Sequence, residues 1–203
     1  MKNIIKDAMI LFAITAVAGV LLAVVNEVTK APIAAQKQAA IEAACREVFS
    51  EAESFTEEKA PSEYPEYAAF AAAYPKDSID RIYTAKDASG KVLGLVLNVT
   101  NKEGYGGSIR FSLGVALDGT VTGVSILETG ETPGLGLRAD TELVPQFAGK
   151  KAERFEYVKG GGAAAENQVD AISSATITTN AFVNGVNAGL EFFRMINGEG
   201  AQQ

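Results

Sequence analysis

The stretch AMILFAITAVAGVLLAVV, between Asp7 and Asn26, runs for eighteen residues without a charge. At about 1.5 Å rise per residue it approaches the roughly 30 Å of hydrocarbon in a bilayer. It predicts one N-terminal transmembrane helix and leaves the remainder to build a separate core. A cleaved signal peptide is the competing reading, because Lys2 and Lys6 form a basic flank. The apolar run exceeds the usual h-region, however, and no A-x-A site follows it. A lipoprotein signal fits less well, since Cys45 lies far beyond the run and follows Glu42-Ala43-Ala44. Lys2 and Lys6 before the span and Glu27 after it predict a single pass through the cell membrane, N-terminus cytoplasmic and remainder extracytoplasmic.

The rest of the composition narrows the chemistry. A net charge of -7 argues against nucleic acid, which needs clustered Lys and Arg to displace counterions from phosphates. A single cysteine excludes internal disulfides and a self-contained iron–sulfur cluster, which takes about four thiolates. The absence of histidine removes the usual ligand of zinc, copper and haem. Any redox chemistry therefore uses an organic cofactor or one shared with a partner.

Along the chain, Thr29-Lys30-Ala31-Pro32 predicts an interruption after the span, since proline removes an amide donor and biases its predecessor away from helical angles. A second helix is expected from Ile33 to about Phe49, with Cys45 on its apolar stripe and buried. Pro61, Pro65 and Pro75 break any long element in residues 50 to 78. Strands are expected over Arg81–Lys86, Lys91–Thr100, Ser108–Leu117 and Val121–Glu128. Ser89-Gly90 and Asp118-Gly119 join neighbours at hairpin spacing, which predicts an antiparallel meander. A short helix is expected over about Thr141–Gly149, and a loop at Lys159-Gly160-Gly161-Gly162. A final helix runs from near Thr176 to Asn197, with Phe182, Val186, Leu190 and Phe193 on one face and Gly198 as its stop. The sum is an α+β fold: an antiparallel sheet packed with helices and tethered by one transmembrane helix. The expected organisation is an anchor over 1–30, a helical or irregular linker packing on the domain over 31–79, and the main domain over 80–203.

Three segments carry chemistry. In DAISSATITTN, Asp170 to Asn180, hydroxyls crowd the start of the last helix. Ser173 or Ser174 could cap the orphan amides of its first turn. Alternatively, those amides and the helix dipole hold a phosphate, with Thr176, Thr178 and Thr179 donating further hydrogen bonds. The second segment, GETPGLG from Gly130 to Gly136, follows a strand directly. An ordinary turn needs neither Glu131 nor an apolar Leu135, and its glycines let backbone amides approach a flat ligand. The third, Gly104-Tyr105-Gly106-Gly107, precedes a strand, with Tyr105 expected in the core rather than as a stacking partner.

The order GYGGSIRFSLGVALDG, then ETPGLG, then D-x-x-S-x-A-T-I-T-T before a terminal helix resembles the FMN-binding domain of the Rnf complex G subunit. That family belongs to a membrane-bound, ion-translocating oxidoreductase linking ferredoxin to NAD. The C subunit of the sodium-translocating NADH:quinone oxidoreductase is a related, usually longer, chain. The resemblance covers the span and roughly residues 80 to 197.

The resemblance implies covalent FMN. In the family, the threonine that closes an S-G-A-T pattern is esterified to the FMN phosphate, and here that position is Thr176. It further implies a separate FAD-dependent FMN transferase as maturation partner, with Asp170, Ser173 and Ala175 matching its recognition motif. The usual glycine of the pattern is Ser174 here, whose side chain could crowd the transferase or offer a competing hydroxyl. Glu131, Thr132, Gly134 and Leu135 become candidates for contact with the flavin ring. No catalytic or metal-binding residue is implied in this chain, and the expected partners are other membrane and peripheral subunits. The implied function is an electron relay within a translocase complex, the alternative being an anchored extracytoplasmic binding module with no redox role.

Overall fold

A computed structural model of the chain describes residues 2–198; residues 199–203, which close the expected main domain, lie outside them. The chain divides into two compact units, Met1–Ala40 and Ile41–Gln203.

The first unit belongs to helix α1, Lys2–Val48. Its apolar side chains, among them Phe12, Leu22 and Val28, are exposed. Thr15 and Thr29 return their hydroxyls to carbonyls one turn back, at Leu11 (3.1 Å) and Val25 (2.8 Å), so neither leaves a donor unpaired. Among the described residues this is the one helix long and apolar enough to cross a membrane. The interruption expected at Pro32 does not occur, and the proline lies inside α1. A helical proline costs about 3 kcal/mol through one lost hydrogen bond and a steric clash. The run Ala34-Ala35-Gln36-Lys37-Gln38-Ala39-Ala40 beyond it is made of strong helix formers, which offset that loss.

The second unit is built on a five-stranded antiparallel meander: β1 (Ser54–Glu57), β2 (Asp77–Lys86), β3 (Val92–Gly104), β4 (Gly107–Ala116) and β5 (Val121–Thr129), in that spatial order. Asp118-Gly119 turns β4 into β5 and Ser89-Gly90 turns β2 into β3, as the hairpin signals predict. β1 is an addition from the proline-rich stretch, too short to carry an alternating pattern.

One face of the sheet carries Leu97, Val99, Phe111, Leu113 and Val115, all fully buried. Helix α3 (Thr176–Ile196) covers it with Phe182, Val186, Leu190 and Phe193, the predicted apolar face. The Phe111 and Phe182 rings stack at 5.0 Å. Gly189 brings the helix close, since a Cβ there would stand 2.6 Å from Leu113 Cδ2. Helix α2 (Tyr67–Ala73) sets Phe70 against Phe192 at 5.0 Å and closes this core. Each buried phenylalanine contributes about 1.5–3 kcal/mol relative to exposure.

The opposite face receives the C-terminal end of α1. Cys45, Val48, Phe49 and Ala52 form a second buried cluster with Tyr83, Ala85 and Val96. Thr122 donates to the Val48 carbonyl (2.5 Å) and Ser125 to Glu47 Oε2 (2.6 Å). Gly123 permits the approach, because a Cβ there would lie 3.0 Å from Val48 Cα.

Between β5 and α3 the expected helix over 141–149 is replaced by a widened turn, Ala139–Leu143, and a tight turn, Val144–Gln146. Pro145 explains the change, since in a regular helix its ring would clash with the Thr141 carbonyl, to which it has no amide to donate. A two-stranded parallel pair follows, β6 (Glu156–Val158) with β7 (Gln168–Asp170), linked through the expected glycine loop. These strands of three residues offer the sequence no period to read.

Candidate functional site

The chain enters α3 through Ile172-Ser173-Ser174-Ala175. The residue that caps the helix is Ala175, which makes no side-chain capping bond, so neither Ser173 nor Ser174 performs the expected role. Both serines are exposed. The turn is closed from within instead: Thr179 donates its hydroxyl to the Ala175 carbonyl (2.9 Å) and accepts the Ile172 amide (3.1 Å). These two bonds fix the entry to α3 without capping it, and its first-turn amides are left with no side-chain cap.

Ser174 sits at φ 65°, the one described non-glycine residue with positive φ. That is the region glycine enters without penalty. Ser174 therefore holds the conformation that the glycine of the resembling S-G-A-T pattern would supply.

Of the three threonines in this first turn, Thr176 alone is exposed, while Thr178 and Thr179 are buried. Thr178 donates its hydroxyl to Glu131 Oε2 at 2.8 Å. Glu131 is 5% exposed, and its other oxygen accepts the Gly106 amide at 3.2 Å. One carboxylate thus joins the GYGG turn, the GETPGLG loop and the start of α3.

Glycines make room for that junction. A Cβ on Gly104 would stand 2.8 Å from Glu131 Oε1, and one on Gly136 would collide with Glu131 Oε2 and approach Thr178 Oγ1 at 2.9 Å. Within the loop, the Thr132 carbonyl accepts amides from Leu135 (3.2 Å) and Leu137 (3.3 Å), while the Thr132 side chain is exposed. Gly134 takes φ 75° at its tip. The result is an apolar rim of Leu135, Leu137 and Ile177, each more than two-fifths exposed. Tyr105 is 71% exposed, contrary to its expected core position, because a hairpin tip flanked by glycines projects it beyond the sheet. Leu137 and Ile177 were not among the sequence candidates, since isolated apolar residues carry no periodic signal.

Asp170 closes β7 on a different set of contacts. Gln146 holds its backbone by accepting the amide (2.7 Å) and donating to the carbonyl (3.1 Å), and Asp170 Oδ1 accepts the Ala163 amide (2.8 Å) from the glycine loop. Gln146 is a site-shaping residue that no sequence motif announces, because it acts across 24 positions.

The residues present fit a phosphate-bearing planar group. Thr176 offers an outward hydroxyl beside first-turn amides without a side-chain cap, which together with the helix dipole favour an anion. The exposed leucines, Ile177 and Tyr105 supply apolar surface, and Gly134 carries no side chain to obstruct it.

Fold and site together define a small α+β flavin-binding domain borne on an apolar helix: the FMN-binding domain family matches residues 104–191. The RnfG N-terminal region family matches residues 1–48. The G subunit of the Na+-translocating ferredoxin:NAD+ oxidoreductase complex from Acetobacterium woodii is 33% identical over 198 residues, covering 97% of this chain and 94% of that one. The ion-translocating oxidoreductase complex G subunit from Escherichia coli is also 33% identical, covering 94% and 91% respectively. The chain belongs to the G-subunit family of these ion-translocating oxidoreductase complexes. The crystal structure of Shewanella oneidensis NqrC is similar in fold, with a TM-score of 0.52, 28% identity and 61% of each chain covered.

Proposed function

We propose that this chain carries FMN esterified through its phosphate to Thr176 Oγ1 and relays electrons between ferredoxin and NAD within a Rnf-type translocase. The observation that carries this reading is the isolation of Thr176: it opens α3, it is exposed, and the turn's other two threonines have inward hydrogen bonds.

In the proposed maturation, a separate transferase presents FAD. Thr176 Oγ1 forms a bond to the FMN phosphorus, the pyrophosphate P–O bond breaks, AMP leaves, and the hydroxyl proton passes to the transferase. This chain supplies the acceptor and its presentation. Thr179 fixes the turn before Thr176, Ser174 sets its direction, and Gln146 anchors the strand that leads into it. Asp170 carries a recognition role by resemblance, alongside the contacts that it makes within the chain.

FMN supplies one- and two-electron chemistry when bound. Leu135 and Thr132 offer ring contacts from the loop, Leu137 and Ile177 shield the site from water, and the uncapped amides hold the phosphate. The expected domain over 80–203 would face the extracytoplasmic side, anchored by the apolar helix within 1–30, with residues 31–79 joining them and packing on the domain. Other members of the complex would deliver and remove electrons.

The test is fluorescence of the denatured full chain after coexpression with an FMN transferase. Wild type retains flavin fluorescence on a denaturing gel and Thr176→Val loses it. Equal fluorescence in both variants, or none in wild type, contradicts the reading.

A further inference from the structure

We propose that Glu131 is a positioning residue for the flavin site: its buried carboxylate clasps the loop that offers the ring contacts to both the β3–β4 turn and the first turn of α3. The inference rests on the reading that flavin is attached at Thr176, and it changes the role expected of Glu131 from ring contact to internal clasp.

Both oxygens are engaged inward, Oε2 by the Thr178 hydroxyl (2.8 Å) and Oε1 by the Gly106 amide (3.2 Å). Its own amide is held by Thr129 Oγ1 (3.2 Å), which fixes the residue at the end of β5. Leaving a carboxylate buried is costly unless hydrogen bonds compensate, so both donors are strongly favoured to stay in place. The surrounding backbone is shaped to the carboxylate, since side chains on Gly104 or Gly136 would occupy its space. Gly106 and Gly130 are likewise packed backbone to backbone, with a Cβ on Gly130 lying 2.5 Å from the Gly106 carbonyl oxygen.

The consequence concerns placement of the rim. Thr178 lies two residues after Thr176 on α3, and Leu135 lies four after Glu131 on the loop. The carboxylate therefore sets the distance between the attachment point and the apolar rim. A site needs such support to hold its contacts within about 0.5 Å of productive geometry.

The test compares Glu131→Ala, Glu131→Gln and Thr178→Val in the full chain, unmodified and flavin-loaded. Glutamine can still accept from Gly106 while donating to the Thr178 hydroxyl oxygen, so it preserves the clasp without the charge. In the unmodified chain, the Gly106 amide exchanges hydrogen roughly tenfold faster in Glu131→Ala and close to the wild-type rate in Glu131→Gln. In the loaded chain, flavin-band circular dichroism is largely lost in Glu131→Ala and retained in Glu131→Gln. Thr178→Val, which keeps the side-chain volume, reproduces part of the dichroism loss even if Glu131→Ala does not fold. Unchanged Gly106 exchange and dichroism in Glu131→Ala overturn the inference. So does loss of dichroism in Glu131→Gln equal to that in Glu131→Ala, which would assign the effect to charge. A wild-type chain without flavin at Thr176 overturns the parent reading instead, and is detected separately by mass.

Discussion

The carboxamide of Gln146 pairs with both backbone polar atoms of Asp170, accepting from its amide at 2.7 Å and donating to its carbonyl at 3.1 Å. A side chain from the turn after β5 thereby extends the short ladder of β7 by one partner. This holds the strand that feeds directly into the α3 start. Gln146→Leu removes both bonds and leaves an amide and a carbonyl without that partner, at a cost of about 1–3 kcal/mol each where solvent is excluded. The expected outcomes are a lower unfolding midpoint in urea and slower flavin attachment at Thr176 by the transferase.

Ser174 holds a left-handed backbone angle that an L side chain enters at a cost of about 1–2 kcal/mol. Part of that is recovered by the smaller unfolded-state entropy of serine relative to glycine. Ser174→Gly is therefore expected to stabilise the chain by about 0.5–1 kcal/mol in chemical denaturation and to leave flavin attachment intact. Destabilisation, or loss of attachment, would assign the serine hydroxyl a role beyond backbone geometry.

Gly114 lies under the end of α1. A Cβ there would collide with Thr122 Oγ1 and stand 2.8 Å from the Val48 carbonyl. Gly114→Ala is expected to cost about 1–3 kcal/mol through overpacking and to lift Val48 from the sheet. Cys45 reports the change, being 1% exposed in the same cluster. Its reaction with a thiol reagent, slow in the native wild-type chain, becomes faster in Gly114→Ala at a temperature where both remain folded.

Asp77 provides a pH-dependent term. Burial pushes its carboxyl pKa above the ordinary value of 3.8, although the hydrogen bond from Asn101 (2.7 Å) opposes the shift. A raised folded-state pKa means that the native chain binds this proton more tightly than the unfolded chain. The group's contribution to stability is then fully present below pH 3.8 and is lost as pH rises through the folded-state value. Asp77→Asn keeps an acceptor for Asn101 and removes the charge. It is expected to be more stable than wild type at pH 7, with the difference shrinking as pH falls toward 3.8. A difference independent of pH would contradict the assignment.

The parts of the structure legible in sequence are those written in repeating patterns. Phe182, Val186, Leu190 and Phe193 mark the buried face of α3, and Asp118-Gly119 marks the β4–β5 hairpin. What escaped the sequence depends on partners distant along the chain. α3 opens at Ala175 with no side-chain cap and Thr179 fixes the preceding turn from inside the helix, so Ser173 and Ser174, the better caps by residue type, remain exposed. Glu131 reaches Thr178 across 47 positions, and no local pattern distinguishes an inward carboxylate from an outward one. Pro32 misled because one lost hydrogen bond does not stop a helix flanked by alanines. Tyr105 misled because residue type suggests burial while the hairpin tip denies it.

The central claim is that Thr176 Oγ1, rather than either neighbouring serine, carries the flavin phosphate. Tandem mass spectrometry of the peptide spanning Asp170 to Asn180, from full-length protein made with an FMN transferase, tests this most directly. Fragment ions that place the FMN-phosphoryl adduct on Thr176, with an unmodified peptide from Thr176→Val, are the predicted result. An adduct on Ser173 or Ser174, or an unmodified wild-type peptide, would contradict it.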